Sequence, residues 1–338
     1  MAKTNIINKI WAATFAGFLF SSSAIAAEFK IKIAHSSPAT EDRLEKSLQI
    51  FKKNVESRTD GDISITTYPA SQLGGEREQL EAVQFGSIEM AVLAGPIPNI
   101  YPDAMVFDLP YLFKNRDVAY KVMDGEFGQK ILDGLLDQTG IRGLAWGENG
   151  FRHFTNNVRR VEKPEDLEGL KIRTMENPAH IAMVNSFGAT ATPMAFSELY
   201  SSLQQGVVDG QENPVSLIES MRFYEVQKYM TLDGHVYNPF TFIVNDEFFQ
   251  RLPANYQTII EEEAELWSKK QRELNIEQEN VGVDKLKAEG MDVVNLSDDI
   301  KERFRETASP VYETYRDRLG NDLIDELMAA VSAAESAQ

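Results

Sequence analysis

Two arginines and one asparagine are the residues whose types and positions best suit chemistry on a ligand. Arg152 and Arg173 each lie in a short predicted strand, and Asn213 lies in the stretch 209–214 (DGQENP), which predicts a turn before a helix. A guanidinium matches a carboxylate through two parallel hydrogen bonds, so a buried arginine can clamp an organic anion. The alternatives are a solvated or salt-bridged surface position for each arginine, and an Asx turn or helix N-cap for Asn213.

Two further polar residues stand where predicted elements begin or end. Glu76 follows Gly74 and Gly75 and opens a predicted helix, where a carboxylate is also stabilised by the helix dipole. His35 comes directly after the first predicted strand. Both side chains could contact a ligand, and both positions are equally compatible with a purely structural role.

Catalytic and metal-binding patterns are almost absent. The chain has no cysteine and only four well-separated histidines, so thiolate chemistry and an H-E-x-x-H metal site are excluded, and no metal or cofactor is expected. No G-x-S-x-G, P-loop or G-x-G-x-x-G sequence is present. With 52 acidic residues a chance carboxylate pair carries no information, so a carboxylate-based hydrolase stays open as an alternative. The net charge of -18 argues against nucleic-acid binding.

Residues 1–26 have the pattern of a cleavable export signal. Lys3 and Lys9 precede an apolar run over 10–20, and small residues lead to Ala26 and Ala27, after either of which cleavage is predicted. The apolar run is shorter than the ~20 residues that a membrane-spanning helix needs. The mature protein is therefore predicted to be soluble and exported.

The elements that must position these side chains alternate between strands and helices, which is the pattern of an α/β protein. Helical spacing begins after Thr40, a predicted N-cap, and a second helix is predicted over 76–85. A turn is predicted at 147–150, after which a second series of strands and helices begins. Strands are predicted at 29–34, 63–68, 88–93, 141–146, 151–155, 170–174 and 207–209, and later helices at 179–187 and 197–205.

A stretch of about 35 residues without proline follows Pro253 and is rich in Glu, Gln, Lys and Leu. As one helix it would be about 50 Å long, more than the width of a small domain. A helix of that length usually belongs to more than one domain. The alternative is two helices that break near Gly282.

Four segments, taken in order, resemble the extracytoplasmic solute receptors of TRAP transporters, the DctP-like family. They are residues 68–78 (YPASQLGGERE), 169–173 (GLKIR), 192–198 (TPMAFSE) and 208–214 (VDGQENP). The resemblance extends from Phe29 to near the C-terminus. The last two segments are specific, whereas the Gly-Gly-Glu turn alone would be weak.

This resemblance implies an α/β, two-lobed periplasmic binding protein with hinge strands and a long helix that spans both lobes. After the signal peptide (1–26), lobe I would comprise 27–150 plus 238–280, and lobe II 151–237 plus 281–338. The protein would act in the periplasm as a receptor without enzymatic activity. Its partners would be a small organic-acid ligand and the membrane subunits of a TRAP permease. A sensory role with the same fold is a further alternative.

The family pattern also assigns roles to residues. By resemblance, Arg173 pairs with the ligand carboxylate, Arg152 and Asn213 help to hold that group, and Phe196 lines the cleft. Sialic-acid receptors of the family have asparagine three residues after the main arginine, where this chain has Glu176. An acid there would repel a second carboxylate and accept hydrogen bonds from hydroxyls, although it could also be a charge at a helix N-terminus.

We therefore expect a hydroxylated monocarboxylate as ligand, in particular a uronic or aldonic sugar acid. Closure of the cleft would bring Glu76, His35 and His235 to its hydroxyl groups. A C4-dicarboxylate or another small hydroxy acid is the alternative ligand.

Overall fold

One continuous mixed sheet organises the computed structural model, which describes residues 27–337. The strand order is β2-β1-β3-β8-β4-β7-β5-β6, with β9 beside β8. The bounds are β1 Phe29–Ala34, β2 Ile63–Tyr68, β3 Met90–Leu93, β4 Ile141–Asn156, β5 Lys171–Thr174, β6 Thr190–Pro193, β7 Gly210–Pro214, β8 Tyr229–Asn245 and β9 Asp292–Asn295.

Helices cover both faces of this sheet, which gives the predicted α/β class. The helices are α1 Arg43–Arg58, α2 Glu76–Gln84, α3 Arg116–Met123, α4 Glu126–Thr139, α5 Pro178–Ser186, α6 Phe196–Gln204, α7 Val215–Ser220, α8 Asp246–Arg251, α9 Ala254–Ala288, α10 Asp298–Ala308, α11 Pro310–Leu319 and α12 Asn321–Ser336. Short 3-10 turns lie at Ile97–Asn99, Pro102–Asp108, Pro164–Leu167 and Phe223–Glu225.

Helix α1 shows how the apolar spacing becomes a packed element. Leu44, Leu48 and Phe51 lie on one face and are fully buried against the sheet. The predicted N-cap at Thr40 is wrong, because the helix begins one residue after Asp42, whose carboxylate accepts a hydrogen bond from the Leu44 amide at 2.8 Å. A side-chain acceptor at this position satisfies an amide that has no partner within the helix.

Within the described residues, β4 and β8 are the only strands that link the two ends of the sheet. Residues 241–244 of β8 pair with β3, whereas residues 152–156 of β4 pair with β7. Between these regions, residues 147–151 of β4 pair only with residues 237–240 of β8. We call these two paired stretches the crossover segment.

The crossover segment replaces the turn predicted at 147–150, and that prediction is wrong. The chain runs straight through as part of β4, with a register shift between Glu148 and Gly150 that leaves Asn149 as an extra residue. Gly150 has a φ of 129°, which side chains rarely allow. The glycines therefore permit an irregular strand to cross instead of reversing the chain.

The strand predicted at 207–209 lies instead at Gly210–Pro214. It is flanked by β4 and β5, and all five residues are buried although three of them are polar. The reason for the error is that hydropathy gives no sign of a buried strand whose polar side chains are satisfied by neighbouring strands. Asn213 consequently lies in β7 and not in the predicted turn.

Helix α9 is one unbroken helix of 35 residues, as the proline-free stretch predicts. Trp267 packs in the core beneath β8, with its ring centroid 4.9 Å from that of Phe242. Farther along, a Cβ added at Gly282 would lie 2.5 Å from Val215 Cγ1, so glycine permits close approach to α7. The alternative break at Gly282 does not occur.

The export signal predicted at 1–26 lies outside the described residues. Within residues 27–337, no helix combines the length and the apolar character that crossing a membrane requires.

Candidate functional site

A cavity lies where the carboxyl ends of two pairs of parallel strands, β1 with β3 and β5 with β6, face each other. Its walls come from residues directly after β1 and β3 on one side, and directly after β5 and β6 on the other. Ligands of open α/β sheets bind at such strand ends. The lining includes Ser36, Ser37, Glu76, Arg77, Gly95, Asn149, Arg173, Met175, Glu176, Met194, Phe196, Asn213, Leu217 and Phe240.

Arg173 brings a buried positive charge to this cavity. Its Nε and Nη2 donate to the Met194 carbonyl oxygen at 3.1 and 2.7 Å, whereas Nη1 has no hydrogen-bond partner in the described part of the chain. The guanidinium also lies 5.8 Å from the centre of the Phe196 ring. Burial, with the nearby charge of Arg152, lowers the pKa of Arg173 to about 10. An anion in the cavity would supply the missing partner.

Arg152 lies deeper than the cavity lining and is fully buried. It faces Glu212 on the neighbouring strand β7, to which Nε and Nη2 both donate, the latter at 2.8 Å from Oε1. Its Nη1 has no hydrogen-bond partner among residues 27–337. Burial would raise the pKa of Glu212, but Arg152 and His180 hold it well below the usual value. Most of the charge of Arg152 is thus balanced inside the protein.

Glu76 and Asn213 line opposite walls of the cavity. Glu76 Oε2 accepts hydrogen bonds from the amides of Ala94 and Gly95 at 3.2 and 3.0 Å, which fixes the carboxyl group. Burial raises the pKa of Glu76 despite these bonds and the charge of Arg173. Asn213 Nδ2 donates to Gln211 Oε1 at 2.5 Å.

The structure brings five of the eight predicted site residues to the cavity wall and places three elsewhere. The five are Glu76, Arg173, Glu176, Phe196 and Asn213, and the three are Arg152, His35 and His235.

His35 and His235 are both fully buried and bonded to carboxylates. His35 Nε2 lies 2.8 Å from Glu45 Oε2. His235 lies behind Glu212, with its Nε2 3.2 Å from that carboxylate and its Nδ1 2.8 Å from Asp233. Contact of these histidines with a ligand stays a prediction.

Asn149 is a cavity residue that the sequence reasoning missed. Its side-chain amide donates to Asn238 Oδ1 at 2.8 Å, and Arg43 donates to its carbonyl and side-chain oxygens, both at 2.9 Å. No sequence motif indicates this position, because Asn149 lines the cavity only through the path that β4 takes between the two ends of the sheet. Ser36 and Ser37 were also missed, although their place directly after the first strand was a usable signal.

The arrangement suits the binding of an anion with hydroxyl groups. It offers one buried guanidinium with a free donor, two carboxyl groups, amides and apolar walls. In the described residues, no three His, Asp or Glu side chains are placed to hold a metal ion together.

The comparisons with known proteins all indicate the same family. The model of the DctP family, "Bacterial extracellular solute-binding protein, family 7", matches residues 33–318. A solute-binding protein of Verminephrobacter eiseniae is 44% identical over 84% of each chain. The C4-dicarboxylate-binding periplasmic protein DctP of Rhodobacter capsulatus is 34% identical over 99% of each chain.

Two solved structures have the same fold. A TRAP periplasmic solute-binding protein from Polaromonas, bound to D-erythronate, superposes with a TM-score of 0.85 at 38% identity, over 89% of this chain and 98% of that one. The sugar-acid-binding protein DctPAm from Advenella mimigardefordensis, in complex with galactonate, has a TM-score of 0.88 at 32% identity, over 91% and 99%.

These matches confirm the predicted two-lobed α/β fold and the resemblance on which it was based. Members of the family are receptors and not enzymes, so the hydrolase alternative is excluded. The chain belongs to the DctP family of bacterial extracellular solute-binding proteins, the receptors of TRAP transporters.

Proposed function

We propose that this protein captures a sugar acid, uronic or aldonic, in the periplasm and delivers it to the membrane subunits of a TRAP permease. The observation that carries the proposal is the buried Nη1 of Arg173, which faces no hydrogen-bond acceptor among residues 27–337. A buried guanidinium left unpaired is costly, and a ligand carboxylate removes that cost. Arg152 and Asn213 complete the clamp in this proposal.

The cavity also contains groups that suit hydroxyls better than a second carboxylate. Glu76 and Glu176 both line the cavity. A carboxylate accepts hydrogen bonds from hydroxyl groups, whereas it repels a second anion. Ser36 and Asn149 add neutral polar groups to the same cavity. One carboxylate with several hydroxyls therefore fits this distribution of charge.

The relatives bind both kinds of acid. Galactonate and D-erythronate, bound by two of the compared structures, are sugar acids with one carboxylate. The Rhodobacter relative binds C4-dicarboxylates and is the observation that favours the second candidate, a dicarboxylate receptor. We favour the sugar acid over the dicarboxylate because Glu176 would repel a second carboxylate.

Capture would work by closure of two lobes about the crossover segment. The lobe boundaries proposed at residues 150 and 238 lie side by side in the sheet, because Gly150 of β4 pairs with Asn238 of β8. Contacts between the two sides already exist: Asn99 Nδ2 donates to the Glu176 carbonyl oxygen at 2.7 Å, and Asn177 Nδ2 donates to that of Gly95 at 3.2 Å. A ligand that contacts both sides stabilises the closed state.

A thermal-shift screen tests the ligand class. The panel contains D-galactonate, D-galacturonate, D-galactose, succinate, malate and a set of amino acids. A ligand at a hundred times its dissociation constant stabilises the folded state by about 2.7 kcal/mol, a shift of a few degrees. The two sugar acids should raise the melting temperature and galactose should not, since a neutral sugar leaves the buried guanidinium unpaired.

The outcomes separate the candidates. A strong shift with succinate or malate and none with the sugar acids would favour the dicarboxylate receptor. Shifts with galactose alone would contradict the arginine clamp. Recovery of the unchanged ligand after incubation distinguishes capture from turnover.

A further inference from the structure

Two carboxyl groups that do not line the ligand cavity lie at the crossover segment, one on β4 and one on α9. Asn149 lines the cavity, and the neighbouring Glu148 is fully buried on the other side of β4. Glu279 reaches the same place from α9, near Gly150, where an added Cβ would lie 2.6 Å from its Oε1. Both carboxyl groups therefore lie at the irregular point of the strand that crosses between the lobes.

One guanidinium is shared between these two carboxyl groups. Arg116 Nη2 lies 2.5 Å from Glu279 Oε2 and 3.4 Å from Glu148 Oε1. The hydroxyl of Tyr120 donates to Glu148 Oε2. Glu148 Oε1 accepts no hydrogen bond from the described residues. One fully buried carboxylate beside a second, mostly buried one, with a single shared cation, is a costly arrangement, which a single proton relieves.

The other charged groups around the pair have partners of their own. Arg43, on α1, donates to Asp42 and to both oxygens of Asn149. Arg272, on α9, forms a bidentate pair with Asp124 after α3. From β8 the neutral phenol of Tyr237 faces the cluster, and burial raises its pKa well above the usual value. Arg116 is thus the cation nearest to both carboxyl groups.

We propose that Glu148 and Glu279 share one proton and that this proton makes the conformation of the crossover segment depend on pH. With the proton in place, the pair stabilises the conformation that encloses the ligand cavity, and loss of the proton destabilises it. Burial and the charge of Glu279 raise the pKa of Glu148 to about 7, and burial also raises the pKa of Glu279. Conformations that separate or hydrate the carboxylates are favoured once both are ionised.

The sign of the effect follows from linkage. An acid whose pKa is higher in the enclosed conformation stabilises that conformation while it is protonated, and the effect is lost as the pH rises towards 7 and above. Ligand affinity, which rests on the proposed function, should therefore weaken about tenfold between pH 6 and pH 8. The ligand-free protein should also lose stability with rising pH over the same range.

The experiment has one arm without ligand and one with ligand. In the first, glutamate carboxyl carbons are labelled with ¹³C, and their NMR shifts are followed from pH 4 to pH 9 in the wild type, Glu148→Gln and Glu279→Gln. The wild type should show a carboxyl titrating near pH 7 that either substitution removes. Glu265→Gln, at an exposed position on the same helix, should leave it in place.

In the second arm, calorimetry with D-galactonate compares pH 6 and pH 8. Glu148→Gln should flatten the dependence of affinity on pH, whereas Glu76→Gln, within the cavity, should keep it. If no carboxyl outside the cavity titrates above pH 6, or if Glu148→Gln keeps the full dependence, the proposal is overturned. If D-galactonate does not bind, the first arm together with unfolding of the ligand-free variants against pH still decides it, so failure of the ligand assignment is distinguishable.

Discussion

Arg152 and Glu212 form a buried ion pair across neighbouring antiparallel strands, with two guanidinium nitrogens on one carboxylate. In Arg173, the same two nitrogens instead donate hydrogen bonds to a neutral group, the carbonyl oxygen of Met194. The two buried arginines are therefore unequal in their charge balance. Arg152 is largely neutralised by the protein, whereas Arg173 keeps a charge that a ligand can balance.

Arg173→Lys should weaken the binding of D-galactonate at least about tenfold, or ~1.4 kcal/mol. Lysine retains the charge but lacks the planar fork that bonds the Met194 carbonyl and leaves Nη1 as an unused donor. Isothermal calorimetry measures the effect, with Arg318→Lys at an exposed position as the matched control. Wild-type affinity in Arg173→Lys would contradict the clamp.

Glu212→Gln should lower the free energy of unfolding by about 3 kcal/mol. The substitution leaves Arg152 buried without a counter-charge and also weakens the contact with His235. Urea denaturation measures the change. Glu165→Gln, which breaks the exposed pair with Arg303, is the control and should have little effect. Equal losses of unfolding free energy in the two variants would show that burial does not increase the contribution of the Arg152–Glu212 pair to stability.

His235 should make stability depend on pH between about 6.5 and 9. Burial alone would lower the pKa of His235, but the carboxylates of Asp233 and Glu212 raise it to about 9. A raised histidine pKa stabilises the fold fully below the unfolded value near 6.5, and this contribution is lost as the pH rises through 9. The difference in unfolding free energy between the wild type and His235→Gln should shrink over this range. A constant difference would mean that His235 is uncharged.

Glu176→Gln should shift the preference of the cavity towards diacids. Removing this negative charge from the wall should improve the affinity for succinate, relative to D-galactonate, by about tenfold, which corresponds to ~1.4 kcal/mol. Competition binding with both acids gives the ratio directly. An unchanged ratio would show that Glu176 does not select the ligand.

Ligand binding should reduce the radius of gyration in small-angle scattering. The crossover segment consists of only two paired stretches, so it can serve as a hinge between the larger parts of the sheet. Saturating D-galactonate is compared with the ligand-free protein and with D-galactose as a non-binding control. The same radius in all three samples would count against closure.

The amino-acid sequence by itself was sufficient for elements whose signal is local. Alternation of apolar and polar residues located the strands at 29–34 and 63–68, and the proline-free stretch predicted α9 almost to the residue. The order and the amino-acid sequences of four short segments indicate the family without any tertiary information. These features depend on residues that are close together in the chain, so a single amino-acid sequence is enough to predict them.

Only the tertiary structure decided the features that depend on partners distant in the chain. β7 is a strand of buried polar residues because β4 and β5 flank it, and no local periodicity indicates that. The same sheet order makes Glu212 the partner of Arg152 and leaves Arg173 unpaired at Nη1. Glu148 and Glu279 meet because a strand and a long helix cross at one point. The physical reason is that charge balance is a property of what packs together, which spacing along the chain does not specify.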